Sequence, residues 1–374
     1  MTDVNAAIIA ERCAAQLLSG PPARTAVDVV RRLLAVQGQD SRGARLAIRA
    51  RSAGLTAADI DHGLTQDRSL LISWLNRGTL HLVAAADYWW LHALTTPSML
   101  TPNVRRLAQE GGISADVADR AVTVIDAALA ADGPLTRGQL AERIDVAGIR
   151  TQGQALVHLL AAATVRGLIV RGPMIGREHA FVRVGDWLGA APARFDRDVA
   201  LAELARRYLA GHGPASERDL AKWAGLPLRD ARQGLTAIAS ELADRADGLA
   251  QLTTDRTQPA SDQPGRTQPA SDQPDRTQPA SDQPGPGELP APRLLGSFDP
   301  LLHGWTDRKP ILGAHKDVVT SNGVFRPFAL VNGRAVATWS LTGGRVKLAP
   351  FGPLPEPVTA ALRADAADVI RFLG

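Results

Sequence analysis

Two glutamines separated by one glycine, Gln37-Gly38-Gln39, stand in a stretch crowded with arginine. From residue 24 to residue 51 there are seven arginines (Arg24, Arg31, Arg32, Arg42, Arg45, Arg49 and Arg51) against two acids, Asp28 and Asp40. A glutamine amide offers a carbonyl acceptor and N–H donors and carries no charge. It is no useful general base, but its carbonyl oxygen can orient a water molecule and place partial negative charge beside a developing cation. The cationic setting suits a polyanion better than a cationic substrate. Arg42 and Arg45, just downstream of the pair, are candidate phosphate contacts.

The tripeptide alone is unspecific, because Gln152-Gly153-Gln154 repeats it. There Thr151 and Gln154 have the spacing of a helix-capping box ahead of an apolar run, which gives those amides a structural task. Around the first copy, Ala26, Val27, Val29, Val30, Leu33 and Leu34 recur at helical spacing, with Thr25 and Asp28 as a capping box and Gly38 as a stop. This pattern predicts Gln37 near the last turn of a helix and Gln39 just beyond it.

A chain of 374 residues has room for several domains with real cores. The single cysteine, Cys13, falls in an apolar helical pattern with Ile8, Ile9 and Leu17, so it is expected to be buried packing, and a disulfide within one chain is excluded. Asp3 and Glu11 interrupt the N-terminal stretch, and no apolar run has the length of a membrane span. A cytoplasmic protein is expected. Net charge is +4 but the pI is near 9.7, and lysine is scarce among 42 basic residues. Arginine's planar fork matches phosphate, although GC-rich coding also raises arginine and alanine. The eight histidines show no metal-ligand spacing, and no phosphate loop or dinucleotide fingerprint is present. No cofactor and no metal are expected.

An internal repeat organises the chain. Gly133-Pro134-Leu135-Thr136-Arg137-Gly138-Gln139-Leu140-Ala141 aligns with Gly213-Pro214-Ala215-Ser216-Glu217-Arg218-Asp219-Leu220-Ala221, and Gly20-Pro21-Pro22-Ala23-Arg24-Thr25 is a weaker echo. Each copy continues as a winged helix-turn-helix would. In the first unit (1–110) residues 71–75 and 79–83 form a hairpin around Asn76-Arg77-Gly78. The second (111–195) has helices over about 114–131 and 152–166, then strands at 168–171 and 180–184 joined by a loop over 172–179. The third (196–254) has helices near 198–211, 216–224 and 227–243, with a short wing candidate around 249–252.

Three decapeptides, each Arg-Thr-Gln-Pro-Ala-Ser-Asp-Gln-Pro plus one residue, fill 256–285. Their composition cannot bury a core, so 255–292 reads as a disordered linker. A C-terminal β element with a closing helix (about 355–373) occupies 293–374. Its clearest hairpin turns at Asn332-Gly333, a pair suited to a type I′ turn, and Gly343-Gly344 offers the next turn. The fold class expected is α+β, mainly α, with three tandem winged helix-turn-helix units plus a small C-terminal β element.

Taken together, Gln37-Gly38-Gln39, Arg77-Gly78-Thr79-Leu80-His81, and Phe298-Asp299-Pro300-Leu301-Leu302 with Asp307-Arg308 resemble the bacterial winged-helix DNA glycosylases that unhook interstrand crosslinks. The resemblance runs from about residue 5 to 372, apart from the decapeptides. It implies catalysis by Gln37 and Gln39, which match the Gln-x-Gln form of a motif whose other branch carries a carboxylate. It implies double-stranded DNA with alkylated or crosslinked purines as partner, a monomer, and a cytoplasmic, nucleoid-associated enzyme that protects a producer of a DNA-alkylating natural product such as azinomycin. Arg77, His81, His303, Arg308 and Arg334 are then candidate DNA contacts, with Arg77 or Arg334 on a hairpin that probes the duplex. His81 alternates with Leu80 and Leu82 and is expected to face away from the core, whereas Trp89 and Trp90 suit a core or helix interface.

Two chemically different readings follow. One is a monofunctional glycosylase. The other is a multi-unit winged-helix DNA-binding protein, a transcription factor or architectural binder without catalysis, whose signature is a palindromic operator and a dimerisation helix.

Overall fold

A computed structural model describes residues 3–253 and 288–374; the decapeptide stretch read as a linker lies outside the described residues. The chain begins with α1 (Asp3–Ala15), α2 (Ala26–Leu33), the two-residue strand β1 (Val36–Gln37), α3 (Ser41–Arg49) and α4 (Ala57–Thr65). The hairpin β2 (Leu70–Leu75) and β3 (Thr79–Ala84) follows, then α5 (Tyr88–Thr95) and α6 (Leu100–Gly111). The next segment holds α7 (Ala115–Asp132), α8 (Arg137–Val146), α9 (Ala155–Val165), β4 (Ile169–Ile175), β5 (Glu178–Arg183) and α10 (Val184–Leu188). Then come α11 (Arg197–His212), α12 (Glu217–Ala224) and α13 (Leu228–Ala237). From residue 288 onward come β6 (Arg293–Leu295), α14 (Lys309–Leu312), β7 (Phe328–Val331), β8 (Arg334–Thr342), β9 (Arg345–Pro350) and α15 (Glu356–Leu373). The architecture is a helix-rich mixture of α and β structure. No helix among the described residues is long and apolar enough to cross a membrane.

Both Gly-Pro repeats produce the capped helices their sequence predicts. Thr136 with Gln139 opens α8, and Ser216 with Asp219 opens α12, each through a reciprocal capping box. The Thr151/Gln154 box does not form. The helix starts only at Ala155, and the Thr151 hydroxyl instead donates to Asp145 at 2.7 Å. The second hairpin is longer than expected, because β4 runs to Ile175 through a bulge between Arg171 and Met174 and turns on Gly176 and Arg177 alone. The 249–252 segment makes only isolated bridges, Ala250 to Ala215 and Leu252 to Leu242.

The strands form two antiparallel sheets, ordered β1-β3-β2-β4-β5 and β6-β7-β8-β9. In the first, the two hairpins join where Ile72 meets Arg171. Side-chain alternation gives this sheet two distinct faces. Val36, Leu70, Ile72, Leu80, Leu82 and Ala84 point into one core with α2, α3, α15 and the second sheet. Leu71, Leu75 and Val83 point into another, built with α1, α5, α11, α12 and residues 295–330. A third core joins α6–α9 to the second hairpin.

The Asn332-Gly333 turn has both residues at positive φ, 49° and 71°, as a type I′ turn requires. It is seated on α1, since a Cβ on Gly333 would collide with Ile9.

Candidate active site

Gln37 sits on a strand and Gln39 just beyond it, not at a helix end. Helix α2 stops at Leu33, Leu34 adopts a φ of 63° that turns the chain, and Val36 and Gln37 then pair with Leu82 and His81 of β3. The amphipathic pattern was continuous because Leu34 and Val36 are buried like the helix residues before them, one in each core. Gly38 is therefore not a helix stop. It continues the ladder, its N–H donating to the Leu80 carbonyl at 2.7 Å, and its Cα faces Ile72.

Strand alternation now decides where the amides go. Val36 points into the core beneath the sheet, so Gln37 projects from the opposite face, and the chain leaves the strand before Gln39. Gln37 is 7% exposed and its amide has no hydrogen-bond partner among the described residues. Gln39 is exposed, and its carbonyl oxygen accepts the Leu80 N–H at 3.4 Å. Asp40 then closes the loop by capping α3, accepting from the Arg42 and Gly43 N–H groups at 2.9 and 3.0 Å.

Cross-strand register continues the polar face from Gln37 to His81 and on to Ser73. The Thr79 hydroxyl and both side-chain polar atoms of Asn76 are buried with no partner among the described residues, and the Ser73 hydroxyl is buried beside that of Tyr88. Such orphaned groups are rare away from sites that receive a ligand or water. Their sequence gives no warning, because in an apolar β-hairpin Ser73 and Thr79 read as ordinary strand residues and Asn76 as an ordinary turn residue. His81 itself is 2% exposed, which corrects the expectation that it faces away from the core. A Thr79 carbonyl lies 3.0 Å from its Nδ1, and burial, aided by Arg77, lowers its pKa to about 3, so the ring is neutral.

Three elements converge over this face. The β2–β3 turn packs on α12, where Arg77 donates to the Trp223 carbonyl and its backbone abuts Gly225. Asp219 of α12 holds Thr306 through both its N–H (2.8 Å) and hydroxyl (2.7 Å). Arg308 donates to the Leu302 carbonyl at 2.6 Å and lies over the Phe325 ring, 5.1 Å from its centroid. His303 stands between them, 4.3 Å from Phe325 and 6.1 Å from Phe298 between ring centroids. Burial, reinforced by Arg77, Arg308 and His81, holds His303 well below its usual range. Burial and the neighbouring Arg308 likewise lower Arg77 to about 10. No carboxylate contributes to either shift, so the charges that act on His303 and Arg77 are cationic.

The other predicted contacts are distributed differently. Arg42 is exposed on the first turn of α3. Arg45 is turned inward, 9% exposed and paired with Asp61, and Arg49 and Arg51 are also buried in ion pairs. Part of the apparent positive charge around Gln37 is thus neutralised inside the fold. Arg334 is exposed beside the α1-seated turn and lines a groove with Ile311, His315 and Phe351 instead of joining the Gln37 face. Trp89 and Trp90 pack against the core as expected.

One hairpin escaped the sequence reading although Asn322-Gly323 marked it. Val319 bridges Phe325, the Arg326 N–H donates to Val318 at 2.8 Å, and the tip carries Val324 at 49% exposure. Its root is the Phe325 that contacts His303. A second link ties the site to the other hairpin of the sheet. His179 of β5 lies 3.0 Å from the Ser41 hydroxyl at the start of α3. Among the described residues, no group of three or more His, Cys, Asp or Glu side chains gathers as metal ligands would.

Comparison with known proteins places this geometry in a family. A family model described as "DNA glycosylase AlkZ-like" matches residues 30–372. An interstrand DNA cross-link repair glycosylase of Streptomyces sahachiroi is 24% identical, across 98% of this chain and 96% of that protein. The solved structure of Streptomyces sahachiroi DNA glycosylase AlkZ superimposes with a TM-score of 0.74 at 24% identity, covering 98% of this chain and 96% of that one. The matched span contains Gln37, Gln39, His81 and the whole 298–308 segment, and the chain belongs to the AlkZ-like DNA glycosylase family.

Proposed function

We propose that this protein is a monofunctional DNA glycosylase that hydrolyses the N-glycosidic bond of bulky N7-alkylated purines in double-stranded DNA and unhooks interstrand crosslinks. In this reading it works as a monomer without metal or cofactor, and it protects against a DNA-alkylating natural product such as azinomycin. Units 1–110, 111–195 and 196–254 act as tandem winged helices around the duplex, and 293–374 closes the site.

The observation that carries the reading is Gln37, 7% exposed and paired across the strands with a buried, neutral His81 on which the charge of Arg77 also acts. A guanine alkylated at N7 is already cationic and departs as a neutral base, so no general acid is needed. The remaining tasks are to place water and to stabilise an oxocarbenium-like sugar, which a fixed carbonyl dipole can do. Arg77, Arg308 and Arg42 suit the phosphates that flank such a sugar. Neutral His81 and His303 avoid adding positive charge where the sugar becomes cationic.

The test is base release from a duplex with a single N7-methylguanine and from a crosslinked duplex under single-turnover conditions. Release from both, with ordinary guanine and uracil left in place, supports the reading. Tight binding to undamaged duplex with no release from either substrate leaves a winged-helix binder.

A further inference from the structure

We propose that His303 is a catalytic residue of this enzyme, accepting the proton of the water that Gln37 orients. The inference rests on the glycosylase reading and addresses what two amides leave undone. Neither glutamine can take a proton, yet hydrolysis must remove one from water as its oxygen bonds to C1′.

The geometry points to His303 for three reasons. Its Nε2 is buried with no hydrogen-bond partner among the described residues, so a lone pair or N–H is left uncommitted. The ring is held by aromatic contacts to Phe298 and Phe325, which fix its plane without occupying its nitrogens. His81, the cross-strand neighbour of Gln37, acts on it electrostatically together with Arg77 of the β2–β3 turn. The charged and titratable groups that face it are Arg77 from the β2–β3 turn, Arg308 from its own segment and His81 from β3.

In the step itself the water oxygen attacks C1′ while the C1′–N9 bond breaks. The bonding pair leaves with the alkylated purine, which becomes neutral. The water proton passes to the neutral imidazole at Nε2 and is released to solvent from the imidazolium. In the free protein burial and the two arginines hold the imidazole neutral and weakly basic. DNA phosphates neutralising Arg77 and Arg308 remove part of that depression, which moves the imidazole toward the range where general-base help is effective.

The experiment follows release of N7-methylguanine from duplex DNA in single turnover from about pH 5 to 9, a range that brackets histidine titration. The parent, His303→Gln and His303→Asn are compared, with duplex affinity measured for each. The expected parent profile has an acid limb, its rate falling as His303 is protonated. Both variants are expected to lose about 10²-fold in rate, the lower end of general-base contributions, with duplex affinity within about 2-fold and the acid limb gone. Release by the parent that is independent of pH overturns this role while leaving the glycosylase reading intact, and needs no variant to fold. A variant that keeps the parent rate, or whose loss comes through duplex affinity with the acid limb retained, also overturns it. No release by the parent at any pH overturns the glycosylase reading and this role with it.

Discussion

Arg51 and Asp299, 248 positions apart, form a bidentate ion pair at 2.8 and 2.9 Å with neither side chain exposed. The pair lies between α3, which follows Gln39, and the segment that carries Phe298 and His303. Gln16 accepts a further Arg51 hydrogen bond at 2.8 Å, and Asp299 also accepts the Leu301 N–H. Removing one member leaves an uncompensated buried charge, a change that costs about 3 to 5 kcal/mol. Asp299→Ala is therefore expected to lower unfolding free energy by that order in denaturant titration. Arg51→Met with Asp299→Leu should cost less than either single change, and equal losses in all three would show that the pairing is not the source of the effect.

Gln37 is a buried strand residue and Gln39 an exposed one just beyond the strand, so their substitution should separate. Gln37→Ala removes a partnerless amide and no structural hydrogen bond, and the expected outcome is a loss of about 10²-fold or more in single-turnover base release. Its melting temperature and duplex affinity should stay near those of the parent. Gln39→Ala removes the acceptor of the Leu80 N–H, so its loss of rate should come with looser pairing of β1 to β3. Faster amide exchange at Leu80 and His81 would report that loosening. A Gln37→Ala variant with full activity would return this residue to a structural role.

How much of this was legible in the sequence differs by element. Capping boxes at Thr136 and Ser216 and the Asn332-Gly333 turn were readable because each is a local interaction spanning four residues or fewer. The strand at Gln37 was not, because two residues of β structure have no periodicity, and Leu34 and Val36 are buried just as a helix continuation would be. His81 was placed on the wrong side for a related reason. Alternation distinguishes two faces of a sheet, but here both faces are covered, so polar character did not mean solvent. The coincidence of His303 with Arg77 depends on contacts between residues more than 200 positions apart, and no spacing within the chain encodes it.

Gly43 makes a sharper test of how α3 is set. Its Cα abuts the backbone of Gly296 and Ser297, and an added Cβ would collide with the Ser297 carbonyl oxygen. Backbone cannot yield as a flexible side chain can, so Gly43→Ala should push α3 away from the segment leading to His303 despite alanine's better helix propensity. The expected result is a destabilisation of about 1 to 3 kcal/mol, with reduced base release at temperatures where the variant remains folded. Gly138→Ala on α8 is the matching control, since a Cβ there meets only the Thr136 hydroxyl at 4.0 Å. It should be neutral or mildly stabilising.

Buried histidines should make the protein acid-sensitive before its carboxylates titrate. Burial lowers His81 and His212 to about 3 and, with Arg45 and Arg171 nearby, His179 to about 4. In the unfolded chain each imidazole titrates near about 6.5. Between those values the unfolded chain binds protons that the folded one does not. Their contribution is complete above about pH 6.5 and is lost as pH falls toward the folded values, at about 1.4 kcal/mol per pH unit for each proton taken up on unfolding. His212 isolates one such contribution. Its ring is fully buried and stacks on Tyr208 with centroids 5.0 Å apart. His212→Phe keeps an aromatic ring there and cannot take up a proton. Whatever its packing cost at neutral pH, its stability between about pH 6 and 4 should fall less steeply than the parent's, by about 1.4 kcal/mol per pH unit. Parallel slopes in denaturant titrations across that range would mean that His212 is already protonated in the fold.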